Sequence, residues 1–84
     1  TLMNFSATAH NALVTLNWST ATEINNKGFE IFRSTDGINF TSIGFVAGAG
    51  TSNTLQQYQY TDNPGTDGTV FYRLKQGDID GKFV

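Results

Sequence analysis

Few side chains in this sequence are placed to do chemistry. The one histidine, His10, stands beside Asn11 where a turn is expected, no cysteine is present, and Glu23 and Glu30 have no spacing that makes a matched acid and base. Asp62, Asp67, Asp78 and Asp80 fall in expected turns and invite a calcium reading, yet neither Asp62 to Gly68 nor Asp78 to Lys82 has the ligand spacing of a calcium loop. With no glycine-rich turn leading into a helix, phosphate cradling is unsupported too. The sequence therefore argues against an enzyme and implies neither metal nor cofactor.

Aromatic side chains make the stronger signal. If Phe29 and Ile31 point into a core, a period of two sends Glu30 and Phe32 outward; if Tyr72 and Leu74 point inward, Phe71 and Arg73 go outward. Phe32, Phe71, Arg73 and Glu30 are then the candidate binding residues, an aromatic patch flanked by charge of the kind that meets a glycan or a protein. Cross-strand aromatic pairing for sheet stability is the plainer reading of the same residues. Trp18 falls in register with Val14 and Leu16, so it reads as core and not as a sugar platform. Asn4-Phe5-Ser6, Asn17-Trp18-Ser19 and Asn39-Phe40-Thr41 match the glycosylation triplet, a pattern loose enough to recur by chance.

These residues need strands to position them. From Asn11 to Ser19, Ala12, Val14, Leu16 and Trp18 alternate with Leu13, Thr15, Asn17 and Ser19, a half-buried strand that pairs with Leu2 to Ala9 through a turn at Ala9-His10-Asn11. Thr20 to Gly28 is polar and reads as a loop. Phe29 to Ser34 runs extended into Thr35-Asp36-Gly37, where Asp-Gly suggests a type I′ hairpin into Phe40, Ile43, Phe45 and Val46. Ala47 to Asn53 is small and reads as a mobile loop; Gln57 to Thr61 and Thr69 to Gln76 supply two more strands, with Tyr58 and Tyr60 on one face. A turn at Asp78, Asp80 and Gly81 leads to a last strand, Lys82 to Val84, that is short or incomplete; the plainer reading is that it covers enough of the sheet edge, and the alternative is an edge open to a partner strand.

The 84 residues suit one domain, 1–84, with a core of Val14, Leu16, Trp18, Phe29, Ile31, Tyr72 and Leu74. Seven Phe, three Tyr and one Trp with 38% apolar residues exclude a disordered segment. A formal charge of −2 without a basic run argues against nucleic acid, and no window is apolar enough for membrane insertion. Any export signal is expected outside this stretch.

Val14-Thr15-Leu16-Asn17-Trp18, Gly28-Phe29-Glu30-Ile31-Phe32-Arg33-Ser34-Thr35-Asp36-Gly37 and Phe71-Tyr72-Arg73-Leu74 resemble the B, C and F strands of fibronectin type III domains. Ala21 to Glu30, Tyr72 to Gln76 and Asp78 to Phe83 look more specifically like a module of large secreted Bacteroidetes proteins, one that precedes a C-terminal sorting domain of the type IX secretion system. Phe32, where the family carries a polar residue, and Gly77, where it carries an apolar one, depart from that pattern. The resemblance implies an all-β, Ig-like antiparallel sandwich, part of a larger secreted or cell-surface protein. It implies an accessory role as a structural spacer that contacts neighbouring domains of its own polypeptide. The alternative is a recognition module for a glycan or surface protein, using the outer face of strands C and F or the open edge. It also implies that Tyr72 packs inward and finds a backbone partner for its hydroxyl.

Overall fold

A computed structural model describes residues 2–66 and 68–78, so the turn and strand expected at Asp80 to Val84 lie outside the described residues. The described chain is an all-β sandwich of two antiparallel three-stranded sheets. Strands β1 (Leu2–His10), β2 (Leu13–Thr20) and β5 (Gln56–Asp62) form one sheet, in the order β1-β2-β5. Strands β3 (Glu23–Ser34), β4 (Thr41–Ser52) and β6 (Phe71–Asp78) form the other, in the order β4-β3-β6. Among the described residues, β6 lies at the edge of its sheet.

The core is the one expected. Leu16, Trp18, Phe29 and Ile31 are buried, and Val14, Tyr72 and Leu74 pack against them with Phe5, Ile43, Val46, Tyr58 and Tyr60. Trp18 stacks on Tyr58 with ring centroids 5.8 Å apart and meets Phe29 and Phe5 edge-on. Its indole N–H has no hydrogen-bond partner among the described residues, a cost of about 1–3 kcal/mol that aromatic packing offsets.

Four local expectations are corrected. The first turn is not Ala9-His10-Asn11: His10 pairs with Leu13, and the two residues between them, Asn11 and Ala12, have φ of 50° and 68°. Two positive φ values in a two-residue connection match the right-handed twist of the flanking strands, so Ala12 is an exposed turn residue and not the start of the core face. The Asp36-Gly37 hairpin is not a two-residue turn either. Arg33 pairs with Thr41, and only Gly37 in that connection has positive φ, at 76°. Asp36 instead accepts the Ile38 and Asn39 N–H groups, each at 2.8 Å, and the Ser34 hydroxyl, which draws its carboxyl well below the usual range.

The polar loop Thr20 to Gly28 is mostly strand, because β3 begins at Glu23. Register shifts between Glu23 and Gly28 let Glu23, Asn26 and Phe29, spaced by three, all be buried where plain alternation would forbid it. The presumed mobile loop Ala47 to Asn53 is likewise the end of β4, paired with that bulged stretch. Gly48 has no room for a side chain, since a Cβ there would sit 2.5 Å from the Asn26 amide nitrogen.

Candidate functional site

Residues of the expected binding patch do share a face. In the pairing of β3 with β6, Glu30 lies opposite Lys75, Phe32 opposite Arg73 and Ser34 opposite Phe71, so these pairs share the outer face of β4-β3-β6, on which Ser34 is buried and bonded to Asp36 and Gly37. Phe71 and Arg73 are exposed, whereas Glu30 and Phe32 are half-buried. Two neighbours were missed. Phe40, in the connection before β4, lies under Arg73, whose guanidinium carbon is 4.1 Å from the ring centroid. Phe45 pairs opposite Glu30 and reaches over Gly28, where a Cβ would come within 2.3 Å of its ring. Alternation along β4 carries the signal for Phe45, while Phe40 precedes the strand and has no periodic cue.

The ionisable groups inside the sandwich form two further clusters, one at each end. Glu23 is 1% exposed and its carboxylate is saturated. Oε1 accepts from the Asn26 amide at 2.6 Å and the Ala49 N–H at 3.0 Å, and Oε2 accepts from the Thr20 hydroxyl at 2.7 Å and from the Tyr58 hydroxyl. Burial works to raise its pKa, but the bonds from Tyr58, Thr20, Asn26 and Ala49 together outweigh it and hold the carboxyl below its ordinary value. Tyr58 is pushed up to about 12, by burial first and then by the Glu23 charge.

At the other end Asp62, expected in a turn, closes β5 and is buried. Arg33 Nη1 donates to both its oxygens, at 2.8 and 2.9 Å, and the Tyr72 hydroxyl donates at 2.8 Å. The Tyr72 partner is thus a carboxylate rather than the backbone group expected, and burial followed by that bond pushes the phenol well up. Between the two ends Tyr60 donates to the Ile43 carbonyl at 2.9 Å. The inward side chains Tyr58, Tyr60 and Asp62 of β5 therefore each make a polar bond across to the opposite sheet. These groups tie β3, β4, β5 and β6 together and leave neither carboxylate free for proton transfer. No group of three or more His, Cys, Asp or Glu side chains among the described residues is placed to hold a metal.

Two surface features complete the picture. An apolar cleft of about 380 Å³ opens near the Asp62 end, between Ala7, Ala9 and Leu13 on one side and Pro64, Val70 and Tyr72 on the other. The three-strand rows on the outer face of β1-β2-β5 carry neither aromatic nor charged side chains: Asn4, Ser19 and Gln57 make one, Ser6, Asn17 and Gln59 the next, and Thr8, Thr15 and Thr61 a third, with the two-strand row of His10 and Leu13 beyond them at the turn.

No family model, curated protein or solved structure matches this chain.

Proposed function

We propose that this chain is a non-catalytic structural module of fibronectin type III-like kind, a spacer within a secreted or cell-surface protein that contacts neighbouring domains of its own polypeptide. The observation that carries the reading is the pair of carboxylate ties at opposite ends of the sandwich, Glu23 with Thr20 and Tyr58, and Asp62 with Arg33 and Tyr72. They spend the buried ionisable groups on holding two sheets together without a disulfide, which suits a load-bearing part better than a reaction centre. With β1 to β6 read as strands A, B, C, C′, E and F, the order A-B-E against C′-C-F agrees with an Ig-like arrangement, and Tyr72 takes the inward place of the strand F tyrosine. The secreted Bacteroidetes setting, before a type IX sorting domain, rests on the sequence resemblance. The test is Phe32→Ser with Phe71→Ser in the parent polypeptide, scored by the amount displayed at the cell surface and by attachment to surfaces. A spacer keeps both.

A second reading is favoured by one observation, the outer face on which Arg73 covers Phe40 beside exposed Phe45 and Phe71. There the module recognises a glycan or surface protein, and the same two substitutions abolish attachment while display persists.

A further inference from the structure

The positive charges on the outer face of β4-β3-β6 are not compensated alike. Lys75 lies opposite Glu30, whereas the next row holds Arg73 with Phe32 and Ser42 and no carboxylate. Arg73 makes no ion pair or hydrogen bond among the described residues; its guanidinium carbon lies instead 4.1 Å from the centroid of the Phe40 ring. Resting over a ring restrains the long side chain and leaves its N–H donors free. A carboxylate, which the planar fork matches with two parallel bonds, therefore meets a partly pre-organised site.

Apolar surface surrounds that cation. Phe71, two residues before Arg73 on the same face of β6, is 42% exposed; Ile38, in the connection between β3 and β4, is 82% exposed; Phe32 and Phe40 are half-buried. The Phe71 ring is braced against Gly37, where an added Cβ would stand 3.4 Å from it. Same-face residues along a strand are ~6.8 Å apart, so Phe71, Arg73, Phe32 and Phe40 fall within one patch. Covering those rings takes apolar surface out of water and also drains the water that screens Arg73. Both effects favour a partner that brings apolar groups and a negative charge together. Aromatic rings clustered with an arginine are the composition of protein-binding anchors. Phe32, Phe40 and Phe71 have no polar tip with which to bond a sugar, so the patch fits a polypeptide better than a glycan.

We propose that Arg73, set on Phe40 beside Phe32 and Phe71, anchors a side-chain carboxylate of a partner protein, carried on an acidic segment whose neighbouring side chains are apolar. This rests on the second reading above, in which the face recognises a partner, and names that partner's chemistry. The test is selection from a library of random linear peptides on the immobilised chain, with polygalacturonate as the anionic glycan beside it. Enriched peptides are expected to carry Asp or Glu next to apolar residues, to bind less tightly as salt rises, and to lose at least about tenfold in affinity for Arg73→Gln. Arg73→Lys keeps the charge without the fork and should restore only part of that loss. Asn17→Ala, on the other sheet, changes nothing. Melting temperatures check that each variant folds; if Arg73→Gln does not, the same peptides with Asn and Gln in place of Asp and Glu decide. Enriched peptides without acidic residues, or acidic ones that bind Arg73→Gln equally well, overturn the proposal; if their binding still falls with Phe71→Ser, the recognition reading stands without it. Capture of polygalacturonate but of no peptide overturns it in favour of a glycan, and capture of neither overturns both.

Discussion

The two ends of the sandwich hold a buried carboxylate by different means. Around Glu23 all four donors are neutral: two hydroxyls, a carboxamide and a backbone N–H. Around Asp62 the compensation is a cation, Arg33, with one phenol. Neutral dipoles from β2, β3, β4 and β5 must all arrive together, so the Glu23 end is geometrically demanding and nearly sealed from solvent. An arginine with 29% of its side chain exposed is screened and can adjust. The strands are tied rigidly at one end and more tolerantly at the other.

The comparison is tested most severely by Glu23→Ala. It strands the donors of Thr20, Asn26 and Tyr58 around a void and is expected to cost about 3 kcal/mol or more, or roughly 12 °C or more in a domain of this size. Chemical denaturation monitored by Trp18 fluorescence measures it, and a cost under about 1 kcal/mol would mean that water replaces the carboxylate easily. Gly48→Ala reaches the same cluster from β4 by pushing a methyl group against Asn26, with an expected cost of about 2 kcal/mol.

pH separates the ends further. A carboxyl with a lowered folded pKa contributes stability above its unfolded value, here 4.5, and loses it as pH falls through the folded value. Stability should therefore decline on acidification below about pH 4.5, and Glu23→Gln should flatten that slope. The tyrosines run the other way. With Tyr58 raised from 10.0 to about 12, the protonated phenol is favoured in the fold, so its contribution is whole below pH 10 and fades between 10 and 12. Tyr58→Phe should remove part of the alkaline slope and leave the part that Tyr72 carries.

At the Asp62 end the expected effects are smaller. Arg33→Met leaves Asp62 with Tyr72 alone and should cost about 1–2 kcal/mol, less than the change at Glu23 because the site can admit water. Adding Asp62→Leu should recover most of the loss, since removing both partners leaves no charge uncompensated. A double variant as unstable as Arg33→Met would mean that the carboxylate's bond to Tyr72, and not the ion pair, holds this end.

Much of this arrangement was legible in the sequence, and the misreadings around the two buried carboxylates share one cause. Period-two alternation placed β2, β5, the second half of β3 and β6, together with their buried side chains and the outer-face set of Glu30, Phe32, Phe71 and Arg73. It could not place Glu23 and Asn26. A bulge breaks the period, and a polar residue buried by hydrogen bonds from four strands looks, in one dimension, like a loop residue. Asp62 was read as a turn for the same reason, because its arginine partner lies on a strand of the other sheet. The neutral rows of β1-β2-β5 emerge only from the cross-strand register, which alternation along single strands does not contain.

The smallest predicted effect isolates the hairpin near the Asp62 end. Ala12 holds φ of 68° in a turn where an L residue with a Cβ is strained, while Asn11 before it is a residue type that tolerates that region. Ala12→Gly relieves the strain at the cost of added freedom in the unfolded chain, and the balance favours the fold by about 0.5–1 kcal/mol, or a few degrees in Tm. Combined with Glu23→Ala, the gain should add unchanged, since Asn11 and Ala12 lie at the opposite end of β2 from Thr20. Combined with Arg33→Met it should also add if the turn merely caps β1 and β2. A shortfall there would show that the turn and the Arg33–Asp62 tie, joined through Val14 paired with Asp62, settle together as one adjustable end.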